Sequence, residues 1–392
     1  MQYLSDIFQN EKKYFLQTYN RIPIEITHGN GVYLYGKDGK KYLDFFSGLA
    51  VNALGYGNDK VIKAIEEQIR KFIHLSNYYV NGPQVELAEK LVKYSGLSKV
   101  FYTNSGTEAV ESSLKLIRKV AGPDKKIITF SNAFHGRTYG SLSLGGREKY
   151  KREFAPLLPN IVQLEYGNIE QLENNVDSNT AAIFIEFIQG EGGVRLASKQ
   201  FVSKLNFLKS KFELILVADE IQSGIGRTGK PFAFNHFNID PDLILVAKAI
   251  GGGLPLGAMI TNSKYENVFK AGNHGSTFGG NPVACAAGQV VLNEVFENKL
   301  VENVATLGEY FMNQLKQIQL ENLSIINEVR GYGFMIGVEL NKPCSGIIEE
   351  LRKNEILVNC TNDNVVRILP PLITKKENID EFLDNFKSAI KK

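Results

Sequence analysis

Lys248 and Asp219 are the residues whose types and surroundings best suit chemistry. Each closes a short apolar run: Leu243-Ile244-Leu245-Val246-Ala247 leads into Lys248, and Leu214-Ile215-Leu216-Val217-Ala218 leads into Asp219. Unbroken apolar runs of this length, bounded by turn signals such as Gly251-Gly252-Gly253, read as buried parallel strands. Open α/β sheets bind ligands outside the carboxyl ends of such strands, so the two charges are expected side by side at one sheet edge. A lysine there can condense with a carbonyl group, and an aspartate can hold a protonated ring nitrogen; pyridoxal phosphate (PLP) offers both. A lysine alone at a strand end more commonly just reaches solvent. The pairing with Asp219 and a phosphate-binding segment favours the chemical reading.

That segment is Lys99-Val100-Phe101-Tyr102-Thr103-Asn104-Ser105-Gly106-Thr107-Glu108-Ala109, followed by Val110, Leu114, Ile117 and Val120 at helical spacing. It reads as strand, turn and helix start. Ser105, Gly106 and Thr107 then lie at a helix N-terminus, where free N–H groups and the helix dipole favour a phosphate. Ser105 and Glu108 also have the spacing of an ordinary capping box. In Phe134-His135-Gly136-Arg137, the Phe134 ring can stack on a cofactor and Arg137 can bind a carboxylate. Glu186 ends another apolar run before Gln189-Gly190-Glu191-Gly192-Gly193, where a carboxylate is either a solvated turn or the counter-ion of a site arginine. Gly224-x-Gly226-x-x-Gly229 matches a dinucleotide fingerprint by letter, but it does not directly follow its strand and no helical pattern succeeds it. It is expected to be a flexible surface loop.

The elements that must position these residues follow from apolar periodicity. A hairpin is expected over 31–46, helices over 59–73 and 83–95, and strands at 99–103, 126–130, 181–186, 214–219, 243–247 and 257–261, alternating with helices. Such alternation gives an α/β fold with a mostly parallel, doubly wound sheet. A long helix over 282–318 precedes an α+β pattern: strands near 325–329, 334–340 and 365–369, helices at 345–354 and 377–391. The expected division is a large domain over 51–284, a small domain over 285–392, and an N-terminal segment, 1–50, packing with the small one. A formal charge of +3, with 43% hydrophobic and 22% charged residues, is ordinary for a soluble protein and shows no basic stripe for nucleic acid. Apolar runs are strand-sized, so neither a membrane span nor a signal segment is expected. Three cysteines (Cys285, Cys344 and Cys360) suggest no paired framework and a cytoplasmic setting. Five scattered histidines suggest no metal site.

The ordered set of segments resembles the class III (ω-amino acid) aminotransferases, which have the fold-type I PLP architecture. The resemblance rests on Asn104-Ser105-Gly106-Thr107-Glu108-Ala109, Phe134-His135-Gly136-Arg137-Thr138, Gln189-Gly190-Glu191-Gly192-Gly193, Asp219-Glu220-Ile221-Gln222, Lys248-Ala249-Ile250-Gly251-Gly252-Gly253, Ser276-Thr277-Phe278-Gly279-Gly280-Asn281-Pro282, Val329-Arg330-Gly331 and Val366-Arg367-Ile368-Leu369-Pro370-Pro371. It implies that Lys248 attaches to PLP and later shuttles the substrate proton, while Asp219 pairs with the pyridine nitrogen. It further implies that Gln222 contacts the ring hydroxyl, Ser105, Gly106 and Thr107 hold the phosphate, and Phe134 stacks on the ring. Thr277 would reach the phosphate of a neighbouring subunit, making a homodimer the active unit. Ser276, Arg137, Glu191 and Arg367 would serve the substrates, with Glu191 pairing to Arg367 and releasing it when glutamate binds.

Within the family, Phe46-Ser47-Gly48-Leu49-Ala50-Val51-Asn52-Ala53-Leu54-Gly55 is similar to the branch that acts on N2-acetyl-L-ornithine with 2-oxoglutarate, giving N-acetyl-L-glutamate 5-semialdehyde and glutamate in arginine biosynthesis. A small apolar residue such as Val51 suits a donor whose α-amine is acylated, since a free ammonium would be poorly solvated there. Ornithine, succinylornithine, succinyldiaminopimelate and 4-aminobutyrate are the alternative donors. An aminomutase acting on glutamate semialdehyde and a non-catalytic member of the fold are the remaining alternatives. Two departures from the family pattern are Phe187, where proline is frequent, and Asn58-Asp59, where His-Pro is usual.

Overall fold

The computed structural model describes residues 2–391. Its centre is a seven-stranded sheet: β1 (Lys99–Thr103), β2 (Lys126–Phe130), β3 (Ile161–Leu164), β4 (Thr180–Ile185), β5 (Ile215–Asp219), β6 (Leu243–Val246) and β7 (Gly257–Thr261), in the order β1-β7-β6-β5-β4-β2-β3. β6, β5, β4, β2 and β3 pair in parallel, and β7 runs antiparallel between β6 and β1. The apolar runs before Asp219 and Lys248 are fully buried, as strands covered on both faces must be. β3 carries the pattern Ile161-Val162-Gln163-Leu164 at the sheet edge, too short and too polar to have been expected.

Two smaller sheets flank this core. Strands Ile26–Asn30, Tyr33–Gly36 and Lys41–Asp44 share one sheet with Ile356–Leu357. Ile326–Tyr332, Met335–Leu340, Val365–Ile368 and Asn359–Thr361 form the other. Helix Gly82–Ser95 begins with Asn81 as its cap and Pro83 in its first turn. Asn58, standing where the family usually has histidine, caps helix Asp59–Ile69 by accepting from the amides of Lys60 and Val61.

Three expectations are corrected. The helix expected over 282–318 is two helices, Pro282–Leu292 and Leu300–Glu321, separated by a π-helical turn at Asn293–Glu297 and by Lys299 in the left-handed region (φ 62°). The apolar pattern runs through the break because both helices pack on the same core. The loop Gly224–Gly229 is not a mobile surface feature: Ser223 to Thr228 are buried. Arg227 is 2% exposed and donates to the carbonyls of Phe334 and Pro370. Its three-glycine composition serves close packing; a Cβ on Gly229 would meet the backbone of Ala305 at 2.8 Å.

The cysteines are not all free: Cys344 and Cys360 form a disulfide, with Cα atoms 5.9 Å apart. The contact arises because the Cys344 amide bonds the Asp363 carbonyl, which folds the start of helix Ser345–Lys353 onto strand Asn359–Thr361. No spacing rule reveals that. Cys285 is free and buried. No helix among the described residues is long and apolar enough to cross a membrane, and no group of three or more of their His, Cys, Asp or Glu side chains is arranged to hold a metal ion.

Candidate active site

The carboxyl ends of β1, β2, β4, β5 and β6 open on one cavity of about 450 Å³. β5 delivers Asp219 as its last residue, in register with Leu245 of β6. Lys248 follows two residues after β6, with φ at 51°, so the turn itself aims the ammonium back over the sheet edge. Ser105, Gly106, Thr107, Phe134, Arg137, Glu191 and Gln222 line the same space. Motifs scattered over 144 residues of sequence thus meet because successive parallel strands discharge their loops at one edge.

Helix Gly106–Ala121 points its N-terminus into the cavity. Ser105 caps it, accepting from the Glu108 amide at 3.3 Å, and the first intrahelical bond runs from the Ala109 amide to the Ser105 carbonyl. The amides of Gly106 and Thr107 precede that bond and carry the positive end of the helix dipole. Glu108 does not close a reciprocal box on Ser105. It accepts from the backbone and side-chain nitrogens of Asn104, both at 2.8 Å. The Thr107 hydroxyl is shared with Thr138 (2.8 Å) and Ser141 (2.6 Å), and Thr138 donates on to Glu111. Gly136 is required beside them, since a Cβ would lie 2.3 Å from Thr107 Oγ1.

Asp219 is held from two sides. Its Oδ1 accepts from the Ile221 amide (3.1 Å), and its Oδ2 lies 2.7 Å from His135 Nδ1. Both side chains are buried, His135 completely. Burial lowers the imidazole's proton affinity, but the bond and charge of Asp219, with help from Glu186, outweigh it and hold His135 above its ordinary value. His135 is a site residue that sequence reading missed. Its signal was adjacency to Phe134 and Arg137, but a residue letter does not tell which way a loop side chain turns.

Of the two carboxylates after β4, Glu191 on the loop is an arginine's counter-ion and not a solvated turn, whereas Glu186 is buried at the strand end. Its two oxygens accept from the amides of Phe134 (3.0 Å) and Gly190 (3.3 Å), tying the aromatic loop to the loop that carries Glu191. Burial, partly offset by His135 and reinforced by the charge of Asp219, raises its carboxyl to about 7. Lys248 is shifted the other way: burial, with the positive charge of Arg367 adding to it, lowers the ammonium to about 8.

Arg367, on strand Val365–Ile368, is 1% exposed. Its Nη1 donates to Glu191 Oε1 at 2.6 Å and to Gln222 Oε1 at 3.3 Å, and its Nε to Asn359 Oδ1 at 3.1 Å. Burial raises Glu191, but the charge and bond of Arg367 prevail and keep it below the usual carboxylate range. Arg137 lies on the exposed side of the cavity, its guanidinium 3.9 Å from the Tyr150 ring centroid. Val51 lines the cavity with Leu254, Pro255 and Leu256. Ser276 and Thr277 do not join this group. They line a separate cavity of about 730 Å³ with His74, Asn77 and Tyr102, although Ser276 Oγ accepts from Asn104 Nδ2 at 3.1 Å.

The donor set suits PLP. A helix N-terminus has free amides that would suit a phosphate, a buried carboxylate pinned by a histidine would suit a protonated ring nitrogen, and a lysine of lowered proton affinity would suit a carbonyl. The glycine at 106 admits a close approach, since a Cβ there would already lie 2.7 Å from Ile221.

Comparison with known proteins agrees. The family model for class III aminotransferases matches residues 14–390. An acetylornithine aminotransferase of Aquifex aeolicus is 46% identical over 372 residues, covering 94% of this chain and 97% of the relative. The ornithine aminotransferase of Toxoplasma gondii, in a structure with PLP at partial occupancy in its active site, superposes with a TM-score of 0.95 at 30% identity, covering 99% of this chain and 94% of that one. The acetylornithine aminotransferase of Elizabethkingia anophelis superposes with a TM-score of 0.89 at 32% identity, covering 99% and 98%.

Proposed function

The chain belongs to the class III aminotransferases, PLP-dependent transaminases, and from that premise we propose that it transfers the terminal amine of N2-acetyl-L-ornithine to 2-oxoglutarate. The observation that carries this reading is the Glu191–Arg367 pair, facing a cavity that also holds Arg137 and is lined by Val51. A transaminase accepts two substrates in one site. Glutamate and 2-oxoglutarate bring two carboxylates and want two cations; a donor reacting at a terminal amine brings one. A second arginine, buried and unpaired, would be costly during the donor half-reaction. Arg137 binds a carboxylate of either substrate, while Glu191 occupies Arg367 until a dicarboxylate replaces it. The apolar side chain of Val51 suits an acylated α-nitrogen better than an ammonium.

When bound, PLP supplies the electron sink that stabilises negative charge on the substrate carbon bearing the transferred amine. Asp219, fixed by His135 and the Ile221 amide, keeps a proton on the ring nitrogen. Lys248 Nζ removes the proton from the substrate carbon and returns it during transfer; an amine lowered to about 8 gives up its own proton nearer neutrality than an ordinary lysine does. Ser105 and the Gly106 and Thr107 amides would hold the phosphate, with Phe134 against the ring and Gln222 at its hydroxyl. Glu186 fixes the two loops on which Phe134 and Glu191 ride.

The working unit is a homodimer in which Thr277 serves the partner's phosphate, and Ser276 belongs to the same shared region. Exposed Tyr78 (96%), Val80 (85%) and Phe278 (59%), near the cavity of Thr277, supply an apolar face of the kind that a second copy covers. The sparse cysteines support a cytoplasmic setting, and the Cys344–Cys360 bond is the feature that weighs against it. The deciding experiment is the visible absorbance of the PLP-loaded protein on adding N-acetyl-L-ornithine with no acceptor. Loss of the cofactor's band supports donor and enzyme together. A band that ignores acetylornithine but bleaches with glutamate keeps the aminotransferase and discards this donor.

A further inference from the structure

If Glu191 leaves Arg367 whenever a dicarboxylate binds, its carboxylate needs somewhere to go. The loop around it is pinned. A Cβ on Gly190 would lie 2.2 Å from Gln222 Oε1, and one on Gly192 would lie 2.6 Å from Gln189 Oε1. The Glu191 carbonyl is held by Thr361 Oγ1 at 2.6 Å and by Arg147 Nη2. Release therefore proceeds by rotation of the Glu191 side chain, and the carboxylate travels only as far as its own torsions allow. Carried bare into this mostly buried site, it would be an uncompensated charge beside the incoming carboxylate.

Arg147 stands within that reach, because its guanidinium already touches Glu191's own peptide group. Its Nε is buried with no hydrogen-bond partner, and among the described residues the guanidinium's one hydrogen bond runs from Nη2 to that carbonyl. A buried guanidinium N–H without an acceptor is costly to maintain, and the charge of Arg147 already acts on Glu191. The other nearby cation is Lys248, which also acts electrostatically on Glu191, but the transamination reading commits that amine to the cofactor. Tyr150, three residues further on, stacks under Arg137. One short segment thus touches both Arg137 and the backbone of Glu191.

We infer that Arg147 is the second station of Glu191, receiving its carboxylate when a dicarboxylic substrate takes Arg367. This rests on the gating reading above. Arg147 is then a specificity-determining residue for the dicarboxylate half-reaction and a bystander in the other.

The test uses the PLP-loaded protein and glutarate, a five-carbon dicarboxylate with no amine or carbonyl to react, whose binding is read by calorimetry. R147Q is expected to weaken glutarate about tenfold, a loss of about 1.4 kcal/mol, and to leave the KM for N-acetylornithine within about twofold. R147K, which keeps the charge, should hold glutarate within about threefold. T361V, which removes the other bond to the Glu191 carbonyl but no charge, should also change it little. In an E191A background, R147Q should cost nothing further. An R147Q effect that persists in E191A overturns the inference, as does unchanged glutarate binding or equal damage to both substrates. If R147Q does not fold, R147M is read in its place. R367A separates the two levels. Glutarate binding that survives R367A sinks the gating reading itself, whereas binding lost in R367A but kept in R147Q sinks only the role of Arg147.

Discussion

His135 Nδ1 lies 2.7 Å from Asp219 Oδ2, with both groups buried in the wall of the cavity. The contact fixes the carboxylate's orientation. Hydrogen bonds to charged groups contribute about 1.5–3 kcal/mol. H135N should therefore weaken PLP binding about 10- to 100-fold and lower kcat. Equilibrium dialysis of the cofactor against both proteins checks this, and an unchanged dissociation constant would refute the role given to His135.

Arg367 and Glu191 should respond asymmetrically to substitution. Truncating one member of a buried charge pair costs about 2–5 kcal/mol. R367A is expected to reduce kcat/KM for 2-oxoglutarate by about 30-fold or more, and to reduce the acetylornithine half-reaction by less than about tenfold. Single-turnover rates for each half-reaction measured separately decide it. Equal losses would remove the gate from the mechanism.

Lys248 should react as a neutral amine near pH 8. Its folded value is depressed, so the uncharged form appears above about 8 instead of near 10.5, and roughly a tenth is neutral already at pH 7. Reductive trapping of the cofactor-free protein with a small aldehyde, mapped by mass spectrometry, should rise at this residue between pH 7 and 9. A midpoint near that of surface lysines would contradict the burial argument.

Glu186 should make the native state less stable as pH rises. Its folded value, about 7, is raised above the ordinary carboxyl value. The native state therefore holds the proton more tightly, and the stabilisation is complete below the unfolded value and lost as pH passes through about 7. His135 and Asp219 share this environment, so the comparison is with E186Q, which stays neutral. Between pH 5 and 8 the wild-type protein should lose about 1–3 kcal/mol relative to E186Q. Urea unfolding of both cofactor-free proteins at the two pH values measures it; parallel curves would count against it.

Legibility in the sequence followed the range of the interactions. Lys248, Asp219 and the Ser105–Thr107 turn could be read because each is signalled by its own neighbours: an apolar run, a glycine, a helical repeat. β3 was missed, since an edge strand of four residues buries too little to show a pattern. The burial of Gly224–Gly229 was missed as well, because glycine-rich composition is shared by mobile loops and by backbone packed tightly against other backbone.

By itself the sequence determined the alternation of strands and helices, the sheet edge where the charges gather, and the residue types available there. These depend on local periodicity and chain direction, which are written in neighbouring letters. Only the tertiary structure decided which side chains turn toward one another: His135 toward Asp219, Glu186 toward two amides, Arg147 toward the Glu191 carbonyl, Cys344 toward Cys360. Apart from the Glu186–Gly190 bond, each of these contacts joins segments separated in sequence. A side chain's direction on such a loop is set by the packing around it, to which the residue's own sequence neighbourhood contributes little.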